Sequence, residues 1–149
     1  LGPVYDSLFA SETLTNKLFS FLDKEAGELN VMAAGLLCKV LTALLASRPQ
    51  QTLTLLDERK TVPKLLLHIG TSSVLDLLLK VVVEAQEAVG EGNWIAWLVD
   101  QDLTSQLIAK LSGPLPAEVH ENAATALVGL LARKQVSQWA AAAPPTPPH

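Results

Sequence analysis

The sequence predicts an all-α protein of the armadillo/HEAT-like helical-repeat class, in which paired helices stack into a right-handed solenoid. Hydrophobic residues make up 49% of the 149 residues and aromatic residues only 5%. Leu and Ala, which favour helix, therefore carry the apolar content. Apolar positions recur with a helical period in almost every segment, and no segment alternates as a half-buried strand would. Helix pairs recur roughly every 35 to 50 residues with short connections, which is typical of helical repeats.

The chain divides into three regions. Residues 1–12 have no clear period and are predicted to be an irregular N-terminal segment. Residues 13–139 carry the helical pattern and form the predicted repeat domain. Residues 140–149 are rich in Ala and Pro, so we expect a disordered tail or a polyproline II conformation there.

Capping and stop signals place the individual helices. Ser11 can cap a first helix that ends near Asp23, Pro49 suits the first turn of a helix, and Thr61 can cap the helix that contains Pro63. Residues 90–92 are predicted to form a loop, after which Asn93 can cap a short helix. The predicted helices run over residues 12–23, 29–47, 49–56, 62–70, 73–86, 94–99, 103–111 and 116–139.

Two of these helices have informative faces. In the helix over residues 29–47, apolar positions that include Leu36 and Val40 cover most of the circumference, which predicts burial on more than one side. The helix that begins at Ser73 carries a solvated stripe on which Lys80 is predicted to form ion pairs with Asp76 and with Glu84, each four residues away.

Composition excludes several classes of function. The net charge of −4 and the pI of about 5.3 argue against a nucleic-acid partner, which requires a basic surface. No block of basic residues suits an anionic membrane, and the apolar run Val31–Ala46 is shorter than a membrane span. The single Cys38 excludes an internal disulfide and a cysteine-rich zinc site, and it is compatible with a cytoplasmic or nuclear location. The histidines have no metal-ligand spacing.

Enzymatic motifs are also lacking in the sequence. No glycine-rich phosphate loop follows a strand, and no pair of carboxylates is placed for acid–base catalysis. Ser72 is a poor nucleophile because the segment lacks the strand and the second glycine of a nucleophile elbow. We therefore expect a non-catalytic protein without a cofactor or a metal ion.

Six residues are candidates for contacts with a partner protein, because they are polar or aromatic groups at helix ends or on helix faces: His68, Thr71, Ser72, Asp76, Trp97 and Asn122. Each has a structural alternative. His68 could bond free carbonyls at a helix end, Thr71 and Ser72 could cap the next helix, and Asp76 could form a solvated pair. Trp97 could lie in the core, and Asn122 could bond a neighbouring loop.

The most specific segment is His68-Ile69-Gly70-Thr71-Ser72, followed after one residue by Val-Leu-Asp-Leu-Leu-Leu-Lys at positions 74–80. Weaker matches are Leu18 to Leu22, Glu28 to Asn30, Trp97-Leu98, Gln106 to Ile108 and Glu121 to Ala123. Together and in this order, these residues resemble the SAPS-domain family, the regulatory subunits of protein phosphatase 6. Val31 departs from the pattern, since it stands where the family usually has proline.

The resemblance implies a partial SAPS domain built as a helical-repeat scaffold. It implies that the chain binds a phosphatase 6-like catalytic subunit and connects it to ankyrin-repeat subunits and substrates. The alternative is an unrelated armadillo-type module that binds peptides or proteins in a groove lined by Asn122.

Overall fold

The computed structural model describes residues 2–26 and 28–142, except for the side chains of residues 2, 91–92, 94–95 and 133–142. Within this part of the chain, all regular structure is helical, which confirms the predicted all-α class. The helices are α1 Gly2–Ala10, α2 Glu12–Phe19, a 3-10 turn at Ser20–Leu22, α3 Val31–Ser47, α4 Pro49–Glu58, α5 Thr61–Leu67, α6 Ser72–Val89, α7 Glu91–Asp100, α8 Leu103–Ala109 and α9 Ala117–Ala142.

Local capping explains where several helices begin. The Ser11 hydroxyl accepts a hydrogen bond from the Leu14 amide at 3.2 Å, as its predicted role requires. The Asn30 side chain caps α3 by accepting from the Ala33 amide at 2.9 Å. Pro49 occupies the first turn of α4, where its missing N–H leaves no intrahelical bond unmade.

The structure corrects three of the predicted boundaries. The start of the chain is not irregular, because residues 2–10 form α1. The predicted loop at residues 90–92 is wrong. Gly90 alone, with φ of 78°, separates α6 from the next helix, and α7 begins at Glu91. Asn93 lies inside that helix rather than at its cap. In the predicted tail, residues 140–142 belong to α9, and residues 143–149 lie outside the described part.

The start of α5 differs from the predicted cap. The N-cap is Lys60 in the left-handed conformation, with φ of 53°, and Thr61 is the first helical residue. The Thr61 side chain is buried and its hydroxyl has no hydrogen-bond partner among the described residues. After this change of direction at Lys60, α5 packs against α4, α6 and α8.

The core is centred on the pair of helices α3 and α6, which pack against each other. From α3 the pair buries Leu41, Leu44 and Leu45, and from α6 it buries mainly Val74, Leu77, Leu78, Val81 and Val82. Other helices contact this pair: α4 packs against both α3 and α6, and α5, α7 and α9 pack against α6. Cys38 is buried in the same cluster, as its apolar surroundings in the sequence predicted.

Burial of α3 is one-sided, which corrects the prediction from its wide apolar face. Leu36 and Val40 are 59% and 42% exposed, while Leu41 and Leu45, on the same helix, are fully buried. Within the described part of the chain, no helix combines the length and the apolar character that crossing a lipid bilayer requires.

Truncation of a core leucine should test this arrangement. Leu45→Ala should lower the free energy of unfolding by about 2–5 kcal/mol, because it opens a cavity between α3 and its neighbours. Leu36→Ala is the matched control on the exposed side of the same helix and should cost less than about 1 kcal/mol. Urea unfolding followed by circular dichroism measures both, and equal losses would contradict the assignment of the buried face.

Candidate partner-binding site at the α5–α6 turn

Four of the six candidate residues lie in the turn that joins α5 to α6 and in the first turns of α6. Helix α5 ends at Leu67, and α6 begins at Ser72. The tight reversal is held by the His68 carbonyl, which accepts from the Thr71 amide at 3.0 Å. The Thr71 carbonyl in turn accepts from the amides of Val74 and Leu75, so the turn passes directly into α6.

The buried side chain of His68 forms a hydrogen bond within the molecule. Its side chain is only 3% exposed, and Nε2 lies 3.0 Å from the carbonyl oxygen of Leu22. A carbonyl can only accept, so Nε2 carries the hydrogen and donates it, which leaves Nδ1 as an acceptor in the neutral ring. Beside this bond, Lys64 Nζ lies 2.7 Å from the Asp23 carboxylate. The end of the 3-10 turn is thus attached to α5 at two points.

Asn122 holds the same turn from the opposite side. Its amide Nδ2 donates to the carbonyl of Ile69 at 2.8 Å. Next to this bond, a Cβ added to Gly70 would lie 3.0 Å from Cγ2 of Val119. Only glycine permits α9 to approach the turn this closely without a shift. The arrangement matches the structural alternative for Asn122, and its contact with a partner stays a prediction.

Thr71 and Ser72 face outward to different degrees. Thr71 occupies the N-cap position of α6, one residue earlier than predicted, but its hydroxyl makes no capping bond. Thr71 is half-buried and Ser72 is exposed. Within the described part of the chain, neither hydroxyl forms a hydrogen bond that holds the turn.

Asp76 lies one helical turn after Ser72 and is exposed. Of the two ion pairs predicted for Lys80, the structure forms the one with Glu84, at 3.2 Å from Lys80 Nζ, and not the one with Asp76. Glu84 is the more buried of the two carboxylates, which favours the ion pair there. Ser72 and Asp76, four residues apart, present polar groups on one side of α6.

Cys38 lies behind Asp76, in a shallow depression of about 280 Å³ that Ser73 also lines. The pKa of the Cys38 thiol is raised to about 11, mainly because burial disfavours the thiolate, and the nearby Asp76 carboxylate acts in the same direction. A thiol with such a pKa stays protonated at neutral pH and is a poor nucleophile.

Trp97 is separate from the α5–α6 turn. It is half-buried, packs against the core, and lines a cleft of about 530 Å³ between α4, the end of α6 and α7. Asp57 and Asp100 line the same cleft. The structure thus gathers His68, Thr71, Ser72 and Asn122 around the turn, places Asp76 one helical turn further along α6, and leaves Trp97 in another region.

Sequence reasoning missed the residues that complete the surroundings of the turn. Gly70 was predicted only as a helix end and as part of a motif, and Lys110, Leu115 and Val119 were not considered. The last three lie more than 40 positions after His68 along the chain, so no local pattern connects them with it. Among the described residues, no group of three His, Cys, Asp or Glu side chains could hold a metal ion.

Removing the Asn122 amide should loosen the attachment of α9. Asn122→Ala should lower the free energy of unfolding by about 1–3 kcal/mol, because the Ile69 carbonyl loses its donor. Thr125→Ala is the matched control: Thr125 is exposed on the same helix and bonds only the Glu121 carbonyl of its own backbone. Chemical denaturation measures both, and a harmless Asn122→Ala would show that the bond does not hold α9.

In the folded chain, the thiol of Cys38 should react slowly with iodoacetamide at about pH 8, because the raised pKa leaves little thiolate. Once the chain is unfolded in urea, the thiol should react as fast as free cysteine. The folded-state pKa lies above the ordinary value of 9.0. The stabilising contribution of the protonated thiol is therefore full below about pH 9 and is lost as the pH rises through about 11. Mass spectrometry of alkylation measures the rate, and equal rates in folded and unfolded chain would contradict burial.

Comparison with known proteins agrees with the resemblance seen in the sequence. A family model described as SAPS, SIT4 phosphatase-associated protein, matches residues 41–142, a range that contains all six candidate residues. The serine/threonine-protein phosphatase 6 regulatory subunit 2 of Mus musculus is 33% identical over 148 residues, which are 97% of this chain and 16% of that protein. Regulatory subunit 1 of Homo sapiens is 30% identical over 138 residues, which are 91% of this chain and 16% of that protein.

A more distant relative is the extragenic suppressor of kinetochore protein 1 of Schizosaccharomyces pombe. It is 30% identical over 132 residues, which are 87% of this chain and 15% of that protein. The chain thus spans only about 16% of the length of the first relatives. No solved structure is significantly similar to it. Because the family model covers more than half of the residues, the chain belongs to the SAPS family of phosphatase-associated proteins.

Proposed function

We propose that this chain is a non-catalytic regulatory and scaffolding segment that binds the catalytic subunit of a phosphatase 6-like Ser/Thr protein phosphatase. The observation that carries the proposal is the family match over residues 41–142, together with relatives that are named regulatory subunits of phosphatase 6. The segment would act in the cytoplasm or the nucleus.

The proposed mechanism is positioning by a stiff helical scaffold. The long helices α3 and α6 each pack against the next helix and against one further along the chain: α3 contacts α4 and α6, and α6 contacts α7 and α9. Such layering supports an armadillo- or HEAT-like stack, in which each repeat is held by its neighbours. A stack of this kind would hold the catalytic subunit in a defined place relative to substrates and to ankyrin-repeat subunits.

The contact surface is proposed to include the exposed side of α6 at its N-terminal end. Ser72 and Asp76 are exposed there, and Thr71 adjoins them. His68 and Asn122 would serve this surface indirectly, because their bonds fix the turn from which α6 starts. Trp97 would supply a second contact, since a half-buried tryptophan beside a cleft is a frequent anchor in interfaces.

Introducing positive charges at the start of α6 tests the proposal. Ser72→Arg and Asp76→Arg together should reduce recovery of the phosphatase 6 catalytic subunit from solution by about tenfold or more, because two polar contacts become bulky cations. Glu87→Arg is the matched control, since Glu87 is exposed near the other end of α6. The measurement is a pull-down of purified catalytic subunit by the immobilised 149-residue chain.

Two outcomes would overturn parts of the proposal. If the unchanged chain recovers no catalytic subunit, this segment does not bind it by itself. If the double variant keeps its helical content and binds as well as the unchanged chain, the contact surface lies elsewhere than at the start of α6.

A further inference from the structure

The cleft beside Trp97 lies where the C-terminal ends of three helices meet. Asp57 belongs to the last turn of α4, Val89 ends α6 and Asp100 ends α7, and all three residues line this cleft of about 530 Å³. The C-terminal end of a helix carries a partial negative charge, because its last carbonyl groups have no N–H partner within the helix. Three such ends give the cleft a negative potential before any side chain is considered.

The charged side chains of the lining add to this potential. Asp57 and Asp100 are both exposed, and no basic residue stands in the last turn of α4 or of α7 to offset their charge. Lys60 also lines the cleft, so it can balance one of the two carboxylates. Among the described side chains, Lys60 forms no ion pair with either aspartate. One negative charge is thus in excess, and it lies at helix ends that themselves favour a cation.

Trp97 gives the cleft an aromatic wall. Its side chain is half-buried and packs against the core, and it lies in the last turn of α7, three residues before Asp100. Aromatic faces attract cations, and tryptophan does so more strongly than phenylalanine or tyrosine. The guanidinium group of arginine can stack on such a ring and bond to a carboxylate at the same time. The lining of the cleft therefore suits an arginine side chain better than any other cation in proteins.

The chain itself contains this combination of groups at another place. Cζ of Arg48 lies 5.4 Å from the centre of the Tyr5 ring, and Nη2 of the same side chain lies 4.0 Å from the Asp6 carboxylate. In the cleft beside Trp97, the aromatic ring and the carboxylates are present, but no arginine is among the described residues that line it.

We propose that this cleft binds an arginine side chain presented by a partner protein. The guanidinium would contact the Trp97 ring and pair with the carboxylates of Asp57 and Asp100, and its aliphatic part would cover Leu53, which lines the cleft. The inference specifies the chemistry of the second contact proposed above for Trp97, and to that extent it rests on the proposed function. Its test uses a peptide instead of the catalytic subunit, so either proposal can fail without the other.

The experiment uses the whole 149-residue chain labelled with ¹⁵N and the blocked peptide acetyl-Gly-Arg-Gly-amide at low salt. Titration should shift the indole N–H signal of Trp97 and the amide signals of Asp57 and Gln101 in a saturable manner. The peptide with citrulline, which has the shape of arginine without its charge, should bind about threefold more weakly, as expected for a partly exposed ion pair. The peptide with lysine should bind about twofold more weakly, because a compact ammonium group does not stack on a ring.

Three variants link these effects to the cleft. Asp57→Asn combined with Asp100→Asn keeps the shape of both side chains and should abolish the preference for arginine over citrulline. Glu25→Gln combined with Glu28→Gln is the matched control, because it removes the same charge from two exposed residues outside the cleft, and it should leave the preference intact. Trp97→Leu should weaken binding of both peptides by about threefold, since both end in a planar group that contacts the ring. Signals remote from the cleft report whether each variant is folded.

Three results would overturn the inference. The first is the absence of saturable shifts at these signals up to the solubility limit of the arginine peptide. The second is equal affinity for the arginine and citrulline peptides in the unchanged chain. The third is a folded variant with both aspartates replaced that still prefers arginine as strongly as the unchanged chain does.

Discussion

The buried hydrogen bond from His68 to the Leu22 carbonyl is the contact on which the arrangement around the α5–α6 turn depends. It joins residues 46 positions apart, and the next residue, Ile69, is held by Asn122 from 53 positions away. Each bond satisfies a carbonyl of an adjoining segment, so losing either bond would leave a polar group without its donor. Two neighbouring residues thus connect the N-terminal part of the chain with α9.

This double attachment separates the candidate residues by role. His68 and Asn122 spend their hydrogen-bonding capacity largely inside the molecule, whereas Ser72 and Asp76 are exposed on α6. A scaffold that positions another protein requires both kinds of residue, because exposed groups are useful only if the helix that carries them has a fixed place. The start of α6 has such a place, since the preceding turn is tied on two sides.

A cavity beside the turn is a consequence of the same geometry. Gly70 allows α9 to approach the turn closely at Val119, and Asn122 holds it there. Leu67, Leu115 and Val119 line this cavity of about 440 Å³ beside the turn. A cavity can therefore arise where segments distant in the sequence meet, without any local motif in the sequence.

The sequence by itself determined the all-α class and most helix positions, because helical period and caps such as Ser11 are local properties of the chain. Its local signals failed at Gly90. There a single glycine with positive φ separates α6 from α7, and the predicted three-residue loop is absent. Only the tertiary structure decided that Leu36 remains exposed while Leu45 is buried, and that Lys110 lies near His68. The physical reason is that periodicity defines the face of a helix, whereas long-range packing decides which neighbour, if any, covers that face.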